Sequence, residues 1–96
     1  MNNMWERLIK YLNNKKIKTI INTQTVKQFL NCDKSQTKTL YQYILILMKI
    51  EILIRVSRGR YQINYHIKKD LKSSEAKDAA YNNTYKSWFN DFKVFK

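Results

Sequence analysis

Gly59, the only glycine in this 96-residue chain, sits between two runs of alternating side chains, and that junction limits the possible folds more than any other feature. Before it, Ile52, Ile54 and Val56 alternate with Leu53, Arg55 and Ser57; after it, Tyr61, Ile63, Tyr65 and Ile67 alternate with Arg60, Gln62, Asn64 and His66. A period of two marks strands. The two-residue link Arg58-Gly59 marks a tight hairpin, whose turn needs the positive φ that glycine adopts without steric penalty. The hairpin closes a longer stretch, Thr23 to Tyr65, which reads in order as a short helix, a polar turn, a longer helix with an apolar far half, and the two strands.

Asn22 or Thr23 can cap the short helix, which sets Val26, Phe29 and Leu30 inward and Lys27 and Gln28 outward before Asn31 ends it. In the turn Asn31-Cys32-Asp33-Lys34 several side chains can bond to nearby backbone, and Asp33 or Ser35 can cap the helix that follows. Cys32 reads as a small, half-buried packing residue. The second helix, from Ser35 to about Lys49, sorts on a wheel of about 100° per residue. Leu40, Ile44 and Leu47 share the inner side, while Lys38, Gln42 and Lys49 face the other way with Ser35 and Thr39 flanking them. Leu45 and Ile46 lie well away from Leu40, so the far half is apolar nearly all round and needs cover on several sides.

Upstream, Met4, Trp5, Leu8, Ile9 and Leu12 recur at three- and four-residue steps, an amphipathic helix from about Asn3 to Asn14. Asn13 to Lys16 breaks that pattern, and Ile17, Thr19 and Ile21 then alternate with Lys18 and Ile20 as a brief strand would. Downstream, Lys68 to Ser74 is a polar joint, with Ser73 or Ser74 as the cap of a last helix. Along it Tyr81, Tyr85, Trp88, Phe89, Phe92 and Phe95 fall within an arc of about 120°, with Asn83, Lys86, Asn90 and Lys93 facing away. Stacking on bases is one use of such side chains, but an aromatic stripe at helical spacing is more often core or a partner contact. These six residues are expected to form a homodimer interface, or else to fold back over Leu45 and Ile46 of their own chain.

Helix, polar turn, longer helix and hairpin in this order resemble the winged helix-turn-helix, a superfamily of DNA-reading modules; the resemblance covers about half the chain and is one of pattern. It implies an α+β, mainly helical fold. Residues 1–67 would form the winged helix-turn-helix with a two-stranded wing, and residues 68–96 an extra C-terminal helix of the same domain, for packing or dimerisation. The helix after the turn would be the recognition helix, its first turns in the major groove. Lys38 can reach guanine O6 and N7, Gln42 can pair with adenine N6 and N7, and Ser35 and Thr39 can donate to phosphate or base edges. Arg58 and Arg60 at the hairpin tip would reach the minor groove or its phosphates; the alternative is a polar hairpin end protected against edge pairing. Lys27, Lys16 and Lys18 complete the expected DNA contacts, although lysines in a loop also serve simply as a solvated face.

Nineteen basic residues against seven acidic ones leave a net charge of +12, most of it in the first half of the chain. That balance attracts phosphate backbones and opposes self-association, so double-stranded DNA is the expected partner. One cysteine and one histidine supply neither a disulfide framework nor a metal constellation, and no nucleophile and base can be paired. No metal, cofactor, small-molecule substrate or enzymatic activity is expected. The longest apolar run, Tyr43 to Ile54, is interrupted by Lys49 and Glu51 and falls short of the roughly 20 residues that span a bilayer. The opening MNNMWERLIKYL lacks the features of a secretory signal, so an intracellular place, cytoplasmic or nucleoid-associated, is expected. Lys, Asn, Ile and Tyr make up 43 of the 96 residues and Gly, Ala and Pro only 4, which points to an AT-rich genome such as that of a mobile element, a virus, an organelle or a low-GC bacterium. The expected function is sequence-selective DNA binding, as a transcriptional regulator or a replication or maintenance accessory of a mobile element. The alternative is a basic structural or interaction subunit of a nucleoprotein assembly that binds RNA or protein.

Overall fold

A computed structural model describes residues 4–67 and 72–82. In order, these form α1 (Met4–Asn13), β1 (Ile20–Asn22), α2 (Thr23–Leu30), α3 (Lys34–Lys49), β2 (Leu53–Ser57), β3 (Arg60–Ile63) and α4 (Ser73–Asn82). The fold is α+β and mainly helical. The strands make one antiparallel sheet in the order β1-β3-β2, so the early strand pairs with the second strand of the hairpin. Trp5, Leu8 and Leu12 of α1, Val26 and Leu30 of α2, and Leu40, Ile44 and Leu47 of α3 close over Leu53 and Ile63 of the sheet in one core.

Local side-chain chemistry sets the helix ends. Asn22 caps α2, its Oδ1 accepting from Thr25 N at 2.8 Å. Asp33 caps α3 in a reciprocal box: Gln36 N donates to Asp33 Oδ1 at 3.0 Å and Asp33 N donates to Gln36 Oε1 at 3.1 Å. Both helices stop on a residue in the left-handed region, Asn31 with φ 54° after α2 and Glu51 with φ 67° after α3. In each case that residue's own amide and the next one fold back onto the helix, Cys32 N to Lys27 O at 3.0 Å and Ile52 N to Leu47 O at 2.9 Å being the longer-range bonds. The second of these turns brings the chain from α3 straight into β2 with Ile50 and Ile52 both buried.

Four expectations need correction. The early strand starts at Ile20, not Ile17: Lys18 adopts φ 76° and Ile17 is exposed, because pairing begins only where Lys18 N meets Ile63 O at 2.6 Å. Phe29 does not point inward. The eight-residue α2 buries only the narrow face of Thr23, Val26 and Leu30, leaving Phe29 55% exposed at its edge with its ring 4.7 Å from that of Tyr11. The alternation grouping Ile52 with Ile54 and Val56 also breaks: Ile52 is tucked under the end of α3, Leu53 is the strand's inward residue, and Ile54 and Val56 are exposed. An irregularity between Arg55 and Ser57, where two steps on β2 meet one on β3, makes Val56 the inserted residue of a bulge. Lastly, α4 starts at Ser73 itself, so neither serine is its cap; Lys72 N instead donates to Glu75 Oε1 at 3.3 Å.

Two contacts tie the segment after β3 to the far end of α1. The Asn13 amide donates to Ile67 O at 2.8 Å and accepts from Ile67 N at 3.2 Å, and His66 Nε2 lies 2.6 Å from Lys15 O. Ala76 and Ala79 of α4 are buried on the side facing α3. Leu45 nevertheless stays 54% exposed, so the cover expected over the far half of α3 is partial among the described residues. Tyr85, Trp88, Phe89, Phe92 and Phe95 lie outside the described residues; Tyr81, the first of the aromatic stripe, is exposed. Among the described residues no helix is long and apolar enough to cross a membrane.

Candidate nucleic-acid interface

The outward side of α3 carries Lys38 and Gln42, both exposed, with Thr39 half-buried beside them. Ser35 is exposed too, but its hydroxyl donates to Asp33 Oδ1 at 2.6 Å, so the proton that could have served a phosphate is held in the helix cap. That same bond, with the Gln36 amide next, keeps the Asp33 carboxyl below its ordinary range. A carboxyl depressed in the folded state favours folding above its unfolded value, and the contribution fades as pH falls through the carboxylate range.

Tyr41 is not among the expected contacts, yet it is 42% exposed on the same helix and Lys27 Nζ of α2 lies 5.3 Å from its ring centroid. It stands about 100° from Leu40 on the wheel, between the inner and outer sides, where the period of one helix assigns it to neither. Lys27 and α3 are thus joined through Tyr41 into one surface.

The end of the hairpin is fastened to this surface. Gly59 has φ 74°, and its carbonyl accepts from both Thr23 N, at 3.0 Å, and Thr23 Oγ1, at 3.2 Å. Thr23 is buried at the first turn of α2, so the hairpin tip has little freedom to swing. Between tip and helices lies a concavity of about 490 Å³ lined by Asn22, Thr23, Gln24, Tyr41, Arg55, Arg58, Gly59, Arg60 and Tyr61. Arg58 and Arg60, two of the residues expected to contact DNA, are brought together at this concavity, and Arg55 joins them unforeseen. Arg55 pairs with Tyr61 across β2 and β3, and Tyr61 with Ile21 across β3 and β1, so it occupies the row of the sheet that buried side chains fill further in.

Lys16 and Lys18 fall elsewhere. Lys18 N bonds Ile63 O, three residues along β3 from Arg60, which at about 3.3 Å per residue is roughly 10 Å from the tip end of the strand. They occupy the opposite end of the sheet. A second hollow, about 580 Å³, runs between α3 and α4 past Gln42, Leu45, Lys49, Lys77 and Tyr81; Gln42 borders this hollow and not the concavity at the hairpin end.

Cys32 is half-buried with Sγ 3.5 Å from Met4 Sδ, and its thiol is pushed up chiefly by burial, which disfavours the thiolate. Among the described residues no group of three His, Cys, Asp or Glu side chains could hold a metal ion. Comparison of the chain with protein-family models, with curated proteins and with solved structures finds no match.

Proposed function

We propose that this chain is a small winged helix-turn-helix protein that binds double-stranded DNA sequence-selectively, with α3 in the major groove and the hairpin on the flanking backbone. The observation that carries the reading is the adjacency of an exposed polar side of α3, bearing Lys38 and Gln42, to a hairpin end bearing three arginines. The helix–turn–helix of α2 and α3, followed by a hairpin whose second strand also pairs with β1, supports the same reading, as does the charge of +12. A small regulator or a mobile-element accessory would use such a module alike.

Selection of bound sequences from a random duplex library tests the proposal. One duplex motif should be enriched over random DNA and over RNA; equal retention of RNA would favour the nucleoprotein-subunit reading. On the selected duplex, Lys38→Ala and Gln42→Ala should each relax preference at particular base pairs by roughly 1 to 3 kcal/mol. Equal losses on selected and random DNA would take α3 out of the groove.

Pairing of two copies through Tyr81, Tyr85, Trp88, Phe89, Phe92 and Phe95 is part of the proposal. Its support is the sequence spacing of these six and the 89% exposure of Tyr81. A two-fold pair would set two copies of α3 at successive major grooves, about 34 Å apart, on a palindromic site. Light scattering at micromolar concentration should give twice the chain mass for the wild type and one chain mass for a folded Trp88→Glu, Phe92→Glu variant; a wild-type monomer rules the pair out.

A further inference from the structure

The concavity at the hairpin end has a chemistry of its own. Three arginines, Arg55, Arg58 and Arg60, are among the residues that line it, and none of its lining residues is a carboxylate. Like charges gathered around one hollow repel each other unless an anion shares it. The first turn of α2 opens on the same space. There, Thr23 N is committed to Gly59 O and Thr25 N to Asn22 Oδ1, while Gln24 N, one residue between them, has no acceptor within the helix by the geometry of a helix start. Gln24 lines the hollow. Guanidinium forks match phosphate oxygens in pairs, and a helix start adds partial positive charge and an aimed N–H.

We propose that this concavity is a preformed phosphate site, with Arg55 as the ligand that distinguishes it, and that the hairpin end clamps a backbone phosphate instead of reading the minor groove. The assignment of that phosphate to duplex DNA rests on the function proposed above; the phosphate chemistry does not. Two bonds from Thr23 to Gly59 O hold the tip against α2, so the arginines are presented on a fixed frame and not on a swinging arm. A site of this kind adds affinity and register without sequence information.

The test uses the full chain, wild type and Arg55→Gln, with Arg55 exposed so that the fold should survive, as a matching thermal melt would verify. Inorganic phosphate, titrated against chloride at matched ionic strength, should shift the amide resonances of Thr23, Gln24 and Gly59 to saturation in the wild type and not in Arg55→Gln. On duplex DNA, Arg55→Gln should weaken selected and random sequences alike, by about tenfold or more, and make the log–log salt slope shallower by about 0.9, the contribution of one phosphate. If the wild type binds duplex while phosphate leaves these amides unmoved, or while Arg55→Gln keeps the wild-type slope, the site is overturned and DNA binding stands. If Arg55→Gln loses preference at particular base pairs only, it is a reader and the clamp is overturned. If phosphate saturates the amides but no duplex binds, the phosphate site stands and DNA binding falls; a free phosphorylated compound is then its ligand, to be sought first by titrating adenosine and guanosine monophosphates.

Discussion

Raising the salt concentration from about 50 to about 200 mM is expected to weaken duplex binding by two to three orders of magnitude, following the counterion-release relation for B-DNA. The expectation comes from where the cations sit. Arg55, Arg58 and Arg60 surround one hollow, Lys27 lies over Tyr41 beside it, and Lys38 projects from the same helix as Tyr41. Neutralising about 4 to 6 phosphates per protomer gives a log–log slope near −4 to −5. The full charge of +12 would suggest a steeper one, but charge count is not contact count. Lys16 and Lys18 belong to the other end of the sheet, so a Lys16→Ala, Lys18→Ala double variant should keep the wild-type slope. Fluorescence anisotropy on one labelled duplex across a salt series decides both points. A flat response would remove duplex DNA as the partner, and a slope that falls by two units in the double variant would mean that the DNA runs across the sheet instead of along α3.

What can be read from the sequence, and what cannot, divides along local and non-local causes. Gly59 identifies the hairpin because a tight turn makes a demand, positive φ, that only one residue in the chain meets freely. Asn22 and Asp33 are legible as caps for a similar reason: each needs only its own neighbours to bond. Glu51 is not legible. It takes the left-handed conformation usually given to glycine, and nothing in a glutamate announces this; the buried Ile52 that follows it holds the turn closed. Without that turn, simple alternation assigns β2 the wrong phase and groups Ile54 and Val56 with Ile52 although they face solvent.

The candidate site is half legible for the same reason. Lys38 and Gln42 follow from the period of one helix, and Arg58 and Arg60 from their place beside Gly59. Arg55 and Tyr41 belong to the site only because β2 pairs with β3 in a particular register and α3 crosses near the hairpin end. No pattern within a single element carries that information. Phe29 is the converse case: helical spacing marks it as core, but a helix of eight residues has too narrow a buried face to include it.

Replacing Trp5 with alanine is expected to destabilise the fold by about 3 to 5 kcal/mol, the usual range for emptying a buried tryptophan site. Trp5 is 1% exposed, and its ring meets Tyr43 of α3 edge-on, with centroids 5.2 Å apart and planes at 75°. It links α1 to α3, and Leu8 and Leu12 continue the same buried side of α1. A chain of this length has roughly 5 to 14 kcal/mol of total stability, so the loss is a large share of the whole. Tyr43→Leu keeps apolar contact and loses the edge-to-face geometry, worth about 0.5 to 1.5 kcal/mol. Urea unfolding followed by circular dichroism separates the two. Trp5→Ala within about 1 kcal/mol of wild type would mean that α1 is not needed to close the core. Trp5 packs on the buried side of α3 and not among Lys38, Gln42 and the arginines, so the remaining folded fraction of Trp5→Ala should bind duplex with wild-type affinity. A variant that is fully folded yet binds weakly would instead couple α1 to the outward, polar side of α3.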